Sequence, residues 1–85
     1  MDIGEAIKML RSGHQMTRDG WNGQGQYLEL QVPDENSKMS LPYVFITTVA
    51  GEKVPWICSQ TDLLAEDWWE VDRHPETALA EAAIP

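Results

Sequence analysis

Tyr43-Val44-Phe45-Ile46-Thr47-Thr48-Val49-Ala50-Gly51-Glu52-Lys53-Val54-Pro55-Trp56-Ile57-Cys58 reads as two β-strands joined by a turn. Tyr43 to Val49 is β-branched and aromatic, the composition that suits a pleated, half-buried surface. Ala50 to Lys53 interrupts it as a turn, and Val54 to Cys58 returns as a second strand paired with the first in a hairpin. Pro55 has no N–H to donate to a ladder, so it fits the start of a strand or the edge of a sheet.

Working upstream, Tyr27 to Val32 alternates, with Leu28, Leu30 and Val32 apolar, and reads as a further strand. The polar run from Pro33 to Ser40 is a loop. His14 to Arg18 is a short strand, and Asp19-Gly20 and Asn22-Gly23 are turn signals on either side of Trp21. Asp2 to Ser12 is a helix, because Ile3, Ala6, Ile7 and Leu10 recur at helical spacing and Met9 widens the stripe. Asp2 caps it with Glu5 three residues on, and Gly13 stops it. Downstream, Ser59 or Thr61 caps a short helix that runs through Glu66, and Trp68 to Val71 is the last strand. The expected fold is α+β: a small antiparallel sheet, an N-terminal helix packed on it and a short helix before the last strand. Residues 1–72 form one domain, and 73–85 form an acidic, Ala- and Glu-rich tail expected to be frayed or to depend on a partner for its order.

Eighty-five residues allow one small core, and a chain of this length buries only about 60% of its unfolded surface. The single cysteine, Cys58, excludes an internal disulfide. His14 and His74 stand far apart without a second cysteine, so no structural zinc site and no cofactor is expected. Oligomerisation is then the remaining route to added stability. The net charge of −8, with only six Lys and Arg, disfavours nucleic-acid polymers, which are bound by clustered cations. Met1 to Glu5 carries no secretory signal, no apolar run spans a membrane, and an unpaired thiol fits a reducing compartment, so a cytoplasmic protein is expected.

Enzymatic chemistry finds little support. Cys58, Ser59 and Thr61 are nucleophile types and His14, His74 and the carboxylates are base types, yet no spacing ties one to another. Cys58, alternating with Ile57 in a strand, is read as a small buried hydrophobe. Asp62 and Asp67, five apart, do not share a helical face. No catalytic residue is assigned.

Binding chemistry is better served. Trp21 between two turns either presents its ring for stacking or folds back onto the core. Asn22 offers a donor and an acceptor to a base or ribose, or serves the turn. Ser59, Gln60, Thr61 and Asp62 stand at a helix start, where N–H groups attract an anion or are simply capped. Arg11 and Arg18 are the cations available for a phosphate, or else solvated charges. Trp68 and Trp69 alternate in a strand, so one ring faces the core and the other faces outward or an interface. Trp56 reads as core.

Gly20-Trp21-Asn22-Gly23 with Gly25 and Tyr27, followed by Val54-Pro55-Trp56 and by Ser59-Gln60-Thr61-Asp62-Leu63-Leu64-Ala65-Glu66-Asp67-Trp68, resembles the Thoeris anti-defense 2 family of phage and prophage proteins. The opening Met1 to Gly13 resembles that family's first helix, and the likeness covers residues 1 to about 72. The resemblance implies a homotetrameric sponge in the host cytoplasm. It would sequester glycocyclic ADP-ribose, the signal of Thoeris TIR-domain proteins, and in some members cyclic oligonucleotides of CBASS, without cleaving either. Carried over by position, it implies Trp21, Asn22, Tyr27, Ser59, Gln60, Thr61 and Asp62 as ligand-binding residues. The segment from Pro33 to Pro42 does not match family contacts. The alternatives are an enzyme that degrades the same cyclic nucleotides and an assembly protein with no ligand.

Overall fold

The computed structural model describes residues 1–21 and 25–71. Helix α1 spans Ile3–Arg11, and the Asp2 carboxylate caps it by accepting the Glu5 N–H at 2.9 Å. Its end is a Schellman motif: the His14 N–H donates to the Met9 carbonyl and the Gly13 N–H to the Leu10 carbonyl, both at 3.0 Å. Gly13 adopts φ 92° there, a left-handed conformation that other residues resist. Ala6 and Leu10 are buried, with Ile3 and Met9 packed beside them.

The strands are β1 (Met16–Arg18), β2 (Tyr27–Gln31), β3 (Tyr43–Thr47), β4 (Lys53–Pro55) and β5 (Trp68–Glu70), and helix α2 (Gln60–Leu63) precedes the last of them. They form one sheet in the order β4-β3-β2-β1-β5 with every pairing antiparallel. The fold is therefore α+β, with the short helix before the last strand. Alternation puts Met16, Leu28 and Trp68 on the face that meets α1, and these residues with Ala6 and Leu10 make the buried core. The last strand is anchored at its start: Trp68 donates its N–H to the Met1 carbonyl at 3.1 Å, and the Met1 amino group donates to the Trp68 carbonyl at 2.9 Å. No helix among the described residues is long and apolar enough to cross a membrane.

The hairpin exists, but its strands are shorter than the composition predicts. β3 stops at Thr47 because the chain turns through Thr48 to Glu52, where the Thr48 N–H donates to the Glu52 carbonyl at 2.8 Å and Gly51 takes φ 86°. Val49 is left outside. Pro55 sits opposite Phe45 on the edge strand, and pairing extends one residue further through Trp56 N–H to the Val44 carbonyl at 3.0 Å. The chain then leaves the sheet. Ile57 is 88% exposed, and Cys58 is exposed rather than buried. Helix α2 ends at Leu63 and not at Glu66. Asn22 and the tail 73–85 lie outside the described residues.

Candidate functional site

Asp62 is the hub of the segment that follows the hairpin. Its residue is 7% exposed, and each of its polar groups has work to do. Oδ1 accepts from Arg18 Nη1 at 2.6 Å and from Trp21 Nε1 at 2.8 Å. Its N–H donates to Ser59 Oγ at 3.1 Å, which makes Ser59 the cap of α2. Its carbonyl accepts from Trp68 Nε1 at 3.1 Å. One aspartate thus joins β1, the Gly20-Trp21 turn, α2 and β5.

Asp67 closes the other side of Arg18. It accepts Arg18 Nε at 2.7 Å and the Gly20 N–H at 2.8 Å. Glycine at position 20 leaves room for this pairing: a Cβ there would lie 2.8 Å from Arg18 Nη2 and 2.9 Å from Asp67 Oδ2, so those side-chain ends would have to shift. Burial works against ionisation of Asp62, but the hydrogen bonds from Trp21, Arg18 and Ser59 outweigh it and hold its carboxyl below the usual carboxylate range. Asp67 is lowered first by the Arg18 hydrogen bond, with the Gly20 N–H adding to it against some desolvation. The Arg18 guanidinium is raised in turn, chiefly by Asp67. The cluster of one cation and two anions therefore carries a net negative charge at neutral pH.

The aromatic rings stand on this clamp. Trp21 meets Trp68 edge-on at 5.3 Å and 81°, and Trp56 meets it at 5.9 Å and 86°. Arg18 Cζ lies 5.9 Å from the centre of the Trp68 ring. The Trp21 ring packs back onto the core and remains half-buried. Trp68 is the core ring of its pair, and half-buried Trp69 donates Nε1 to Asp19 Oδ1 at 2.7 Å. Ser59, Gln60 and Thr61 form an exposed rim beside Trp21, with Ser59 Oγ and Thr61 Oγ1 3.0 Å apart. Helix α2 has only four residues, too few aligned peptides for a substantial dipole. The rim acts through its side chains.

A family model for the Thoeris anti-defense 2-like domain matches residues 1–71. The chain belongs to the Thoeris anti-defense 2 family. A relative in Bacillus phage SP01, named Thoeris anti-defense 2, is 36% identical over 81 residues, covering 80% of this chain and 91% of the relative. The role that Thoeris anti-defense 2 membership brings is anti-defense in phage.

Within this Thoeris anti-defense 2 domain the candidate residues do not all converge. Trp21, Ser59, Gln60, Thr61, Asp62 and Arg18 share one neighbourhood. Tyr27 starts β2 opposite Thr47 and points to the other face of the sheet from Leu28. Arg11 is exposed in the last turn of α1. His14 Nδ1 lies 2.6 Å from Glu70 Oε1, at the far end of the β1–β5 ladder from Arg18 and Trp68. At Cys58, partial desolvation of the sulfur and the Asp62 charge push the thiol up, although the residue as a whole is exposed. Asp67 and Gly20 were not legible as site residues. Helical spacing separates Asp62 from Asp67, but the chain leaves the helix between them and brings both to Arg18.

Proposed function

We propose that the chain is a sponge: it binds a cyclic nucleotide immune signal in the host cytoplasm and holds it without cleavage. Glycocyclic ADP-ribose is the first ligand of this reading, and cyclic oligonucleotides of CBASS type are the second. The observation that carries it is the clamp of Asp62 and Asp67 on Arg18. This clamp fixes an aromatic ring and a rim of exposed hydroxyl and amide groups without supplying an activated nucleophile. Tight binding without turnover needs groups held in place before the ligand arrives, and Trp21, Ser59, Gln60 and Thr61 have that character. The raised Cys58 thiol disfavours the thiolate a nucleophile would need. Because the clamp is net anionic, the rim suits the ribose and base of the ligand better than its phosphates. A subunit this small cannot enclose a dinucleotide-sized ligand by itself, so the pocket is completed by further copies, four in all.

The experiment is incubation of the protein with glycocyclic ADP-ribose, removal of free ligand and heat denaturation. Intact ligand in the released fraction is the expected result. A cleaved product would make the chain a degrading enzyme, and absence of any bound ligand would leave it an assembly protein.

A further inference from the structure

All described helix packing falls on one side of the sheet: α1 contacts β1, β2 and β5, on the face of Leu28 and Met16. The opposite face is built by the alternate residues. Register places Lys53, Thr47 and Tyr27 in one row across β4, β3 and β2, then Pro55, Phe45 and Glu29 in the next, then Tyr43 beside Gln31. This face carries no helix among the described residues. It holds a cavity of about 120 Å³ lined in part by Gln31, Tyr43, Phe45, Lys53 and Pro55. The Lys53 ammonium reaches over the Phe45 ring at 5.3 Å from its centre, so its charge lies toward the row that contains Glu29.

We propose that this face pairs with the same face of a second copy about a two-fold axis that runs along β3. The charges select that geometry. In face-to-face packing the two sheets lie about 10 Å apart with strands roughly aligned. An axis along β3 sets β4 of each copy over β2 of the other and leaves β3 on β3. Lys53 of each copy then meets Glu29 of the partner subunit, twice per interface, while Phe45 meets the partner's Phe45 at the centre. An axis across the strands would instead set β4 on β4 and bring the two Lys53 charges together. A two-fold interface must be self-complementary, and a lysine and a glutamate on opposite flanks of an aromatic strand meet that condition. The occupant is thus a second copy of this chain. The proposal rests on the oligomeric part of the function proposed above and names the surface.

The test is sedimentation of the full chain and of three variants: Lys53→Glu, Glu29→Lys and the double swap. Near-ultraviolet circular dichroism checks that each variant is folded. Each single variant is expected to weaken self-association about tenfold or more, because it sets like charges together twice, and the swap is expected to restore it. Glu29→Lys is the sharper arm. It makes an acidic chain less negative, so bulk repulsion alone would strengthen its association. Wild-type assembly that neither single variant weakens would mean that the copies meet elsewhere, which overturns this surface and leaves the oligomeric reading standing. Singles that weaken with no recovery in the swap would overturn the Lys53–Glu29 pairing. A monomeric wild-type chain would overturn both.

Discussion

Arg18 and its two carboxylates make the site sensitive to acid. Asp62 and Asp67 are both held below their unfolded values, so each contributes stability that is present above about pH 4, the unfolded aspartate range. That contribution is lost as pH falls through the lower folded values. Arg18→Gln is expected to cost about 2–3 kcal/mol at pH 7, since it leaves two carboxylates short of a charged donor. The difference between wild type and variant, read by urea unfolding from pH 7 to 2.5, should shrink below about pH 4 as the carboxylates protonate. A difference that stays constant with pH would show that Arg18 acts by packing its stem and not by charge. Trp21 belongs to the same argument. Its ring packs on Trp68 and its Nε1 bonds Asp62, so Trp21→Ala should cost about 2 kcal/mol or more in stability. Trp21→Phe should keep most of the packing and lose about 1–2 kcal/mol with the hydrogen bond to a carboxylate. Comparison of the two by urea midpoint separates the terms, and ligand affinity at matched folded fraction then reports the ring's share in binding.

At the scale of elements, the periodic signals placed the elements and the boundaries moved inward, while Ile7 of the α1 stripe and Val32 after β2 are exposed. The α1 stripe, the Asp2 cap and the Gly13 stop were legible because each is a local rule: helical spacing, a side-chain acceptor and a residue free to take positive φ. Leu10, at 2% exposure, is the centre of that stripe, so Leu10→Ala should cost about 2–5 kcal/mol by thermal or urea unfolding. Strand ends were less legible. Val49, Ile57 and Cys58 have strand-like composition, yet the Thr48–Glu52 turn and the departure after Trp56 are decided by backbone pairing partners that one segment cannot reveal. The clamp was half legible for the same reason. Ser59 as a cap follows from the residues after it, whereas Asp67 meeting Arg18 is a contact across 49 positions of sequence. Helix α2 depends on its cap more than α1 does, having a single turn. Ser59→Ala should cost about 0.5–2 kcal/mol. It should also loosen the Gln60–Thr61 rim, which amide hydrogen exchange at Asp62 and Leu63 would register.

For the whole molecule, a core of five buried apolar residues among those described leaves little reserve in a single subunit. If copies pair on the Phe45 face, association and folding are linked, and the melting temperature must fall on dilution. A ligand shared between copies adds a second linkage. At a free ligand concentration one hundred times Kd it stabilises the folded state by about 2.7 kcal/mol per site. For a chain of this size that corresponds to a rise of roughly 10–20 °C in Tm. The two effects can be separated in one titration. Melting curves at several protein concentrations, with and without glycocyclic ADP-ribose, should show a dilution-dependent Tm that the ligand raises and makes steeper if it bridges subunits. A ligand held inside one subunit would raise Tm equally at every protein concentration. A pocket closed by a second copy therefore predicts that the stabilisation by ligand is largest in the most concentrated sample, where the paired copies that bind it are already formed, and that it shrinks on dilution as the ligand must also bring the free chains together.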